Sequence, residues 1–354
     1  MRVGTLTFHH TYNYGAVMQA FCLAQAISTL GHEVEIIDLE GIYNKYYEGY
    51  ETNLILRGRP PFINLHQGKY RGKHERFEAF IKDFLPTSRR LTTREDLESL
   101  GGELDVAVVG SDEVWRLTEG WHPAFFLDFG PDEMGRMSYA ASFGGTSDPG
   151  ERRAQLTTLL GRFNTILVRD DNSQRIVADL TGSTPSIAVD PVLLGALGPV
   201  EDHAPATDEG PTVLVYAERQ LSPSEVMAVR RQAKALNAKI VAIGFPHWFA
   251  DKNLIDAGPL EFVAAMRAAT VVVTMMFHGV VFALAYEKQL VVLSTKKKAN
   301  KVVGLLAEMG LSQNFGDLDG VEIDYEVVTP RILEAREHSL ELLGNGLANS
   351  AHHA

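Results

Sequence analysis

Apolar positions along the chain follow two rhythms. Short runs that are apolar throughout, or that alternate with small polar residues, mark strands at residues 2–8, 33–39, 104–109, 136–141 and 165–168. Between them apolar residues recur every three or four positions, the spacing of one helix face. Val17, Ala20, Phe21, Ala24 and Ile27 form one such face, and Phe77, Phe80, Ile81 and Phe84 another. Residues 152–163 predict a helix before the strand at 165–168. The rhythm lapses over 41–75, which is rich in tyrosine, glycine, arginine and proline and reads as an insertion with little regular structure. A second series follows. It has strands at 211–217, 238–245, 270–276 and 289–294, and helices at 223–236, near 260–268, from His278 onward and at 300–309. A last helix is expected at 330–343, with a frayed tail after it.

Strands separated by helices predict parallel, doubly wound sheets. The fold class is therefore α/β with two successive Rossmann-like domains. The boundaries read as 1–195 for the N-terminal domain, 196–328 for the C-terminal domain and 329–354 for the closing helix and tail. Residues 199–210, with prolines and acidic groups, serve as the junction.

Length and composition narrow the classes. A chain of 354 residues is comfortable as two α/β domains. With 45% hydrophobic and 22% charged residues it reads as a globular protein. The net charge of −12 argues against nucleic acid as the main partner. No stretch approaches the roughly 20 apolar residues of a membrane helix, and no cleavable signal pattern stands at the N-terminus. The single cysteine, Cys22, lies on the apolar side of the first helix and has no internal partner. A cytoplasmic enzyme fits this profile.

In open α/β sheets, ligands bind beyond the carboxyl ends of strands. Four loops at such ends carry candidate chemistry. The first runs from Phe8 to Ala16 and holds His9, Asn13, Tyr14 and Gly15; Gly15 brings backbone N–H groups to a helix start, and Asn13 either caps that helix or meets a ligand. The second follows Val109, where Gly110 turns the chain and Ser111 and Asp112 stand at the strand end. Asp112 is there as a helix cap or as a group that orients a hydroxyl and takes its proton. In the third, Arg169 follows the strand at 165–168 directly, and its planar donor fork suits a carboxylate or phosphate, or pairs with Asp170 or Asp171. Asp171 and Ser173 are cap candidates for the next helix. In the fourth, His278 and Gly279 open a helix, where the positive end of the dipole favours anions. A basic cluster of Lys296, Lys297, Lys298 and Lys301 follows, either as a solvated face or as an anion contact.

These loops, in this order, resemble the polysaccharide pyruvyl transferase family. The likeness rests on Phe8, His9, Asn13, Tyr14, Gly15, Ala16 and Gln19, on Gly110 to Trp115, and on Ser138 to Gly144. Val168 to Asp170, Asp190 with Pro191, and Phe277 to Gly279 complete it. It extends over about residues 1–310.

The resemblance implies a glycosyltransferase-B-like pair of domains with the active site in the cleft between them. It implies transfer of pyruvate from phosphoenolpyruvate to two hydroxyls of a sugar, with a ketal formed and phosphate released, and no metal or other cofactor. Arg169 and His278 would then anchor the donor, and His278 would position or protonate the enol ester. Asp112 or His9 would serve the acceptor hydroxyl, with Asn13, Tyr14, Gly15, Ser111 and Gly279 lining the site. The chain departs from the family at Met276, where relatives commonly carry serine or arginine; Lys296 and Lys297 are the candidate replacements. The partners implied are phosphoenolpyruvate and a sugar or glycoconjugate. Alternatives are a nucleotide-sugar glycosyl transferase on the same fold and a non-catalytic relative. The tyrosines of the 41–75 insertion would choose the acceptor, or else pack on their own domain or in a homo-oligomeric contact.

Overall fold

The computed structural model describes residues 1–40, 67–117, 121–207, 210–293 and 299–352. The greater part of the 41–75 insertion, and Lys296 to Lys298, lie outside these residues. The chain divides into two compact units, one of residues 1–58, 81–196 and 335–354 and one of residues 59–80 and 197–334.

The first unit contains β1 (Arg2–Leu6), α1 (Tyr14–Thr29), β2 (Glu33–Ile36), the end of α2 (Gln67–Phe84) and α3 (Arg94–Gly101). It continues with β3 (Val106–Val109), β4 (Gly135–Ala141), α4 (Arg153–Leu160), β5 (Thr165–Val168), α5 (Asp171–Thr181) and β6 (Ser186–Ile187). Its sheet runs in the order β2-β1-β3-β4-β5-β6, with every pairing parallel. A parallel sheet covered on both faces needs apolar side chains on both, and β3 and β4 are buried at every position. Leu6, Val109, Trp115, Phe125 and Phe126 are among the residues at the centre of this core.

The second unit contains α6 (Gly198–Glu201), β7 (Thr212–Tyr216), α7 (Pro223–Ala235), β8 (Lys239–Ile243), β9 (Lys252–Leu254) and α8 (Pro259–Ala268). Then come β10 (Val271–Thr274), α9 (Phe277–Ala285), β11 (Gln289–Val292), α10 (Ala299–Glu308) and the start of α11 (Tyr325–His352). The sheet order is β11-β10-β7-β8-β9, again parallel throughout. Two Rossmann-like α/β units are thus present. Among the described residues no helix is long and apolar enough to cross a membrane.

One expectation is corrected. The tail does not fray after residue 343; α11 continues to His352. Two glycines give the reason, since small residues let the helix close onto its own unit. A Cβ on Gly346 would stand 2.5 Å from Met137 Cε, and one on Gly135 the same distance from the Ser350 carbonyl oxygen. Leu343 and Leu347 are fully buried, and the Asn349 amide donates to the Asn164 carbonyl and the Thr165 hydroxyl.

Candidate active site

Each sheet has one point at which the chain leaves its first strand to one side and later returns on the other, and ligands of open α/β sheets gather there. In the first unit that point lies between β1 and β3. The β1 loop is tied down from within. Gln19, buried in α1, donates to the Thr7 hydroxyl at 2.8 Å and to the Ala16 carbonyl, and the Thr7 hydroxyl donates to the Ser111 carbonyl at 2.9 Å. Gly110 is required here because a Cβ would lie 2.8 Å from Leu23 Cδ2. Beyond it Asp112 adopts φ 82°, a left-handed conformation unusual for a residue with a side chain. Its carboxylate accepts from its neighbour Glu113 N–H at 2.8 Å and remains 15% exposed.

Arg169 emerges from β5 into this network. Its side chain is only 3% exposed, where the sequence suggested an open fork at the rim. Nη1 donates to Asp190 Oδ2 at 3.0 Å and to the Ser111 hydroxyl at 3.5 Å, and Nη2 lies 3.5 Å from Asp112 Oδ1. Asp190, after β6, therefore takes the place expected for Asp170 or Asp171. A buried carboxylate needs such a partner, and Asp190 is itself buried. Ser111 is likewise buried, its hydroxyl donating to Asp190 at 3.4 Å. Asp170, rather than Asp171 or Ser173, caps α5: it accepts from Ser173 N–H at 2.8 Å and from the Ser142 hydroxyl at 2.5 Å.

Asn13 caps α1, its side-chain oxygen accepting from the N–H groups of Gly15 and Ala16 at 3.0 and 3.3 Å. Those amides serve the cap, and the Tyr14 side chain is buried. His9 is buried as well. Its Nδ1 faces the Thr7 carbonyl at 3.3 Å, and its Nε2 stands 3.6 Å from Asp38 Oδ1 just beyond β2. Asp38 is 18% exposed, and its contact with His9 holds its carboxyl below the usual carboxylate range. Sequence reasoning missed Asp38. Its one signal was an acidic residue between apolar ones near the end of the strand expected at 33–39.

The remaining motif residues of this unit are builders. The Ser138 hydroxyl bridges β4 and β5, donating to the Leu167 carbonyl at 3.0 Å and accepting from the Leu167 N–H at 3.1 Å, where the register shifts and Ala140 takes φ 50°. Tyr139 OH donates to the Val189 carbonyl, and burial pushes this phenol well above its ordinary range. Trp115 donates its indole N–H to the Phe125 carbonyl and stacks on Phe126.

In the second unit the corresponding point lies between β7 and β10. Thr274, last in β10, donates to the Tyr216 carbonyl at 2.8 Å and accepts from Met276 N–H at 3.0 Å, binding both strands to the start of α9. A Cβ on Gly279 would overlap the Thr274 hydroxyl, so only glycine lets α9 approach β10 this closely. His278 is buried in the first turn of α9, its ring edge-on to Phe277. Met276 occupies the N-cap position and supplies no side-chain acceptor. α9 therefore starts without the side-chain cap that Asn13 gives α1.

His278 and Gly279 belong to this second unit, whereas His9, Asn13, Tyr14, Gly15, Ser111, Asp112 and Arg169 belong to the first. Among the described residues, no group of three His, Cys, Asp or Glu side chains is placed to hold a metal ion.

The two parallel sheets and their loop chemistry define a Rossmann-like enzyme frame with polar groups at both switch points. A family model, polysaccharide pyruvyl transferase, matches residues 13–297, and the chain belongs to that transferase family. No curated protein matches the sequence. Solved structures with a similar course include UDP-GlcNAc 2-epimerases and a glycosyltransferase. The epimerase from Neisseria meningitidis, bound to UDP-GlcNAc, is 14% identical with a TM-score of 0.45, covering 97% of this chain and 99% of its own. The epimerase from Methanocaldococcus jannaschii is 11% identical with a TM-score of 0.49, covering 96% and 93%. The glycosyltransferase VinC, in complex with dTDP, is 14% identical with a TM-score of 0.43, covering all of both chains.

Proposed function

We propose that the protein transfers a pyruvyl group from phosphoenolpyruvate to two hydroxyls of one sugar unit in a polysaccharide or glycoconjugate. The observation that carries this reading is the start of α9, where His278 meets a helix N-terminus whose cap offers no acceptor. Such an end favours an anion, and phosphoenolpyruvate brings two anionic groups.

The reaction makes one C–H bond and two C–O bonds and breaks one. The methylene carbon takes a proton, the adjacent carbon gains the first sugar oxygen, the bond to phosphate breaks, and the second sugar oxygen closes the ketal. Of the two hydroxyl protons, one balances the new methyl group and the other leaves with phosphate. His278 holds the donor and delivers the proton at the methylene. Asp112, or His9 through Asp38, accepts from the sugar hydroxyls. Arg169 acts through Asp112: facing two carboxylates, it fixes the base rather than gripping the donor. Lys296 and Lys297 are additional contacts for the donor's charge.

Thermal unfolding tests the reading with no acceptor needed. Phosphoenolpyruvate at a hundred times its dissociation constant stabilises the native state by about 2.7 kcal/mol. The expected result is a raised midpoint with phosphoenolpyruvate, none with pyruvate or a nucleotide sugar, and loss of the rise in His278→Ala. Stabilisation by a nucleotide sugar alone would replace this reading with glycosyl transfer.

A further inference from the structure

We infer that the loop at 244–251 in the second unit is a subsite for a saccharide chain, with Trp248 as its stacking surface. This rests on the reading above, in which the acceptor is a sugar polymer. The chain has three tryptophans. Trp115 is buried and Trp121 half-buried, whereas Trp248 is 72% exposed.

The loop that carries Trp248 is built to hold it there. Gly244 N–H donates to the Leu254 carbonyl at 3.0 Å, His247 N–H to the Asn253 side chain at 2.7 Å, and the Asn253 amide back to the His247 carbonyl at 3.1 Å. The buried His247 ring donates from Nε2 to the Ala217 carbonyl at 3.1 Å, since a carbonyl only accepts. Gln220 reaches the Pro246 carbonyl at 2.7 Å, and Asp251 N–H the Ile240 carbonyl at 2.8 Å. Phe249, buried beside it, meets the indole edge-on at 84° with ring centres 5.8 Å apart. The Arg230 guanidinium stands 5.4 Å from the ring centre. These contacts fix the loop that carries the indole, which stays largely exposed beside Phe249 and under Arg230.

The chemistry of that surface selects its occupant. A pyranose has a face of C–H groups that lies on an indole and a rim of hydroxyls that seek donors and acceptors. Arg230 lies over one face of the indole and offers donors to the hydroxyls of a sugar on the exposed part of the ring. The loop leaves β8, next to β7, whose far neighbour β10 carries His278 at the start of α9. Two strand spacings separate β8 from β10, about 10 Å, which suits a ring some way along the polymer from the one that reacts. Trp248 therefore grips chain length rather than the reacting diol.

The test presents the full-length protein, Trp248→Ala and Trp248→Phe to an array of glucose, galactose, mannose and N-acetylhexosamine units and their short oligomers. Bound sugars are then titrated by calorimetry on all three proteins, and by tryptophan fluorescence on the unchanged protein, with UMP and UDP in parallel. The expected result is oligosaccharide binding that quenches emission, weakens roughly tenfold in Trp248→Ala and is largely kept in Trp248→Phe, with single sugars little affected. Equal binding by Trp248→Ala, no binding to any glycan, or quenching by the nucleotides alone overturns the proposal. Stabilisation by phosphoenolpyruvate, read on the same three proteins, separates the two readings. If it persists while any of these adverse results is found, the subsite falls and the donor reading stands.

Discussion

The two switch points share a topology and differ in how they are furnished. At β1 and β3 polar side chains are matched inside the protein: Gln19 with Thr7, Arg169 with Asp190 and Ser111, His9 with Asp38. At β7 and β10 one hydroxyl, that of Thr274, joins the strands, and the helix that follows begins on a methionine. The first arrangement holds groups that must keep a fixed orientation. The second starts a helix with no side-chain cap, at the positive end of its backbone dipole. The same frame thus carries one switch point knit together by several side-chain pairs and one built around a single strand-bridging hydroxyl.

The largest test of this contrast is Arg169→Ala. Removing one partner of a buried ion pair leaves uncompensated carboxylates and is expected to cost about 3–5 kcal/mol in urea unfolding. Replacing Arg169 and Asp190 together by apolar residues recovers much of that loss. In the second unit, Gly279→Ala forces α9 away from Thr274 and is expected to cost about 1–3 kcal/mol. It also removes stabilisation by phosphoenolpyruvate, which Arg169→Ala leaves measurable; loss of donor binding in the arginine variant alone would reverse the assignment. Asn13→Ala, which uncaps α1, costs about 1 kcal/mol, while Asn13→Asp keeps the cap.

Acidification separates the units more gently. Burial holds the His247 pKa below its ordinary 6.5, so the unfolded chain takes up a proton first as pH falls. Its contribution is complete above about pH 6.5 and is lost as pH falls through the folded value. Asp38 is also depressed, by its contact with His9, from an ordinary value of 3.8. Its contribution therefore disappears only in stronger acid. Midpoints measured across this range should fall less steeply between pH 7 and 5 in His247→Gln, and below about pH 4 in Asp38→Asn.

Much of this architecture was readable in the chain because buried parallel strands are largely apolar runs, and β3, β7 and β10 are of that kind. β6 and β9, with two and three residues, are too short to set up a rhythm. The end of α11 was missed because Gly344 and Gly346 look like breakers, whereas Gly346 is where the helix comes close to Met137. At the site, loop positions could be read but partners could not. Arg169 meets Asp190, 21 residues on, and His9 meets Asp38, 29 residues on, because adjacent strands bring them together. Local spacing carries no trace of that.

The closing helix has a consequence for how the protein is made. β1 to β6 leave the ribosome before any of the second sheet, yet the core against Met137 and Gly135 is closed by a helix synthesised after that sheet. The unit begun first is completed second. A nascent chain therefore waits through the synthesis of its second unit with a strip of apolar surface uncovered, and slowing translation after residue 196 prolongs that exposure instead of relieving it.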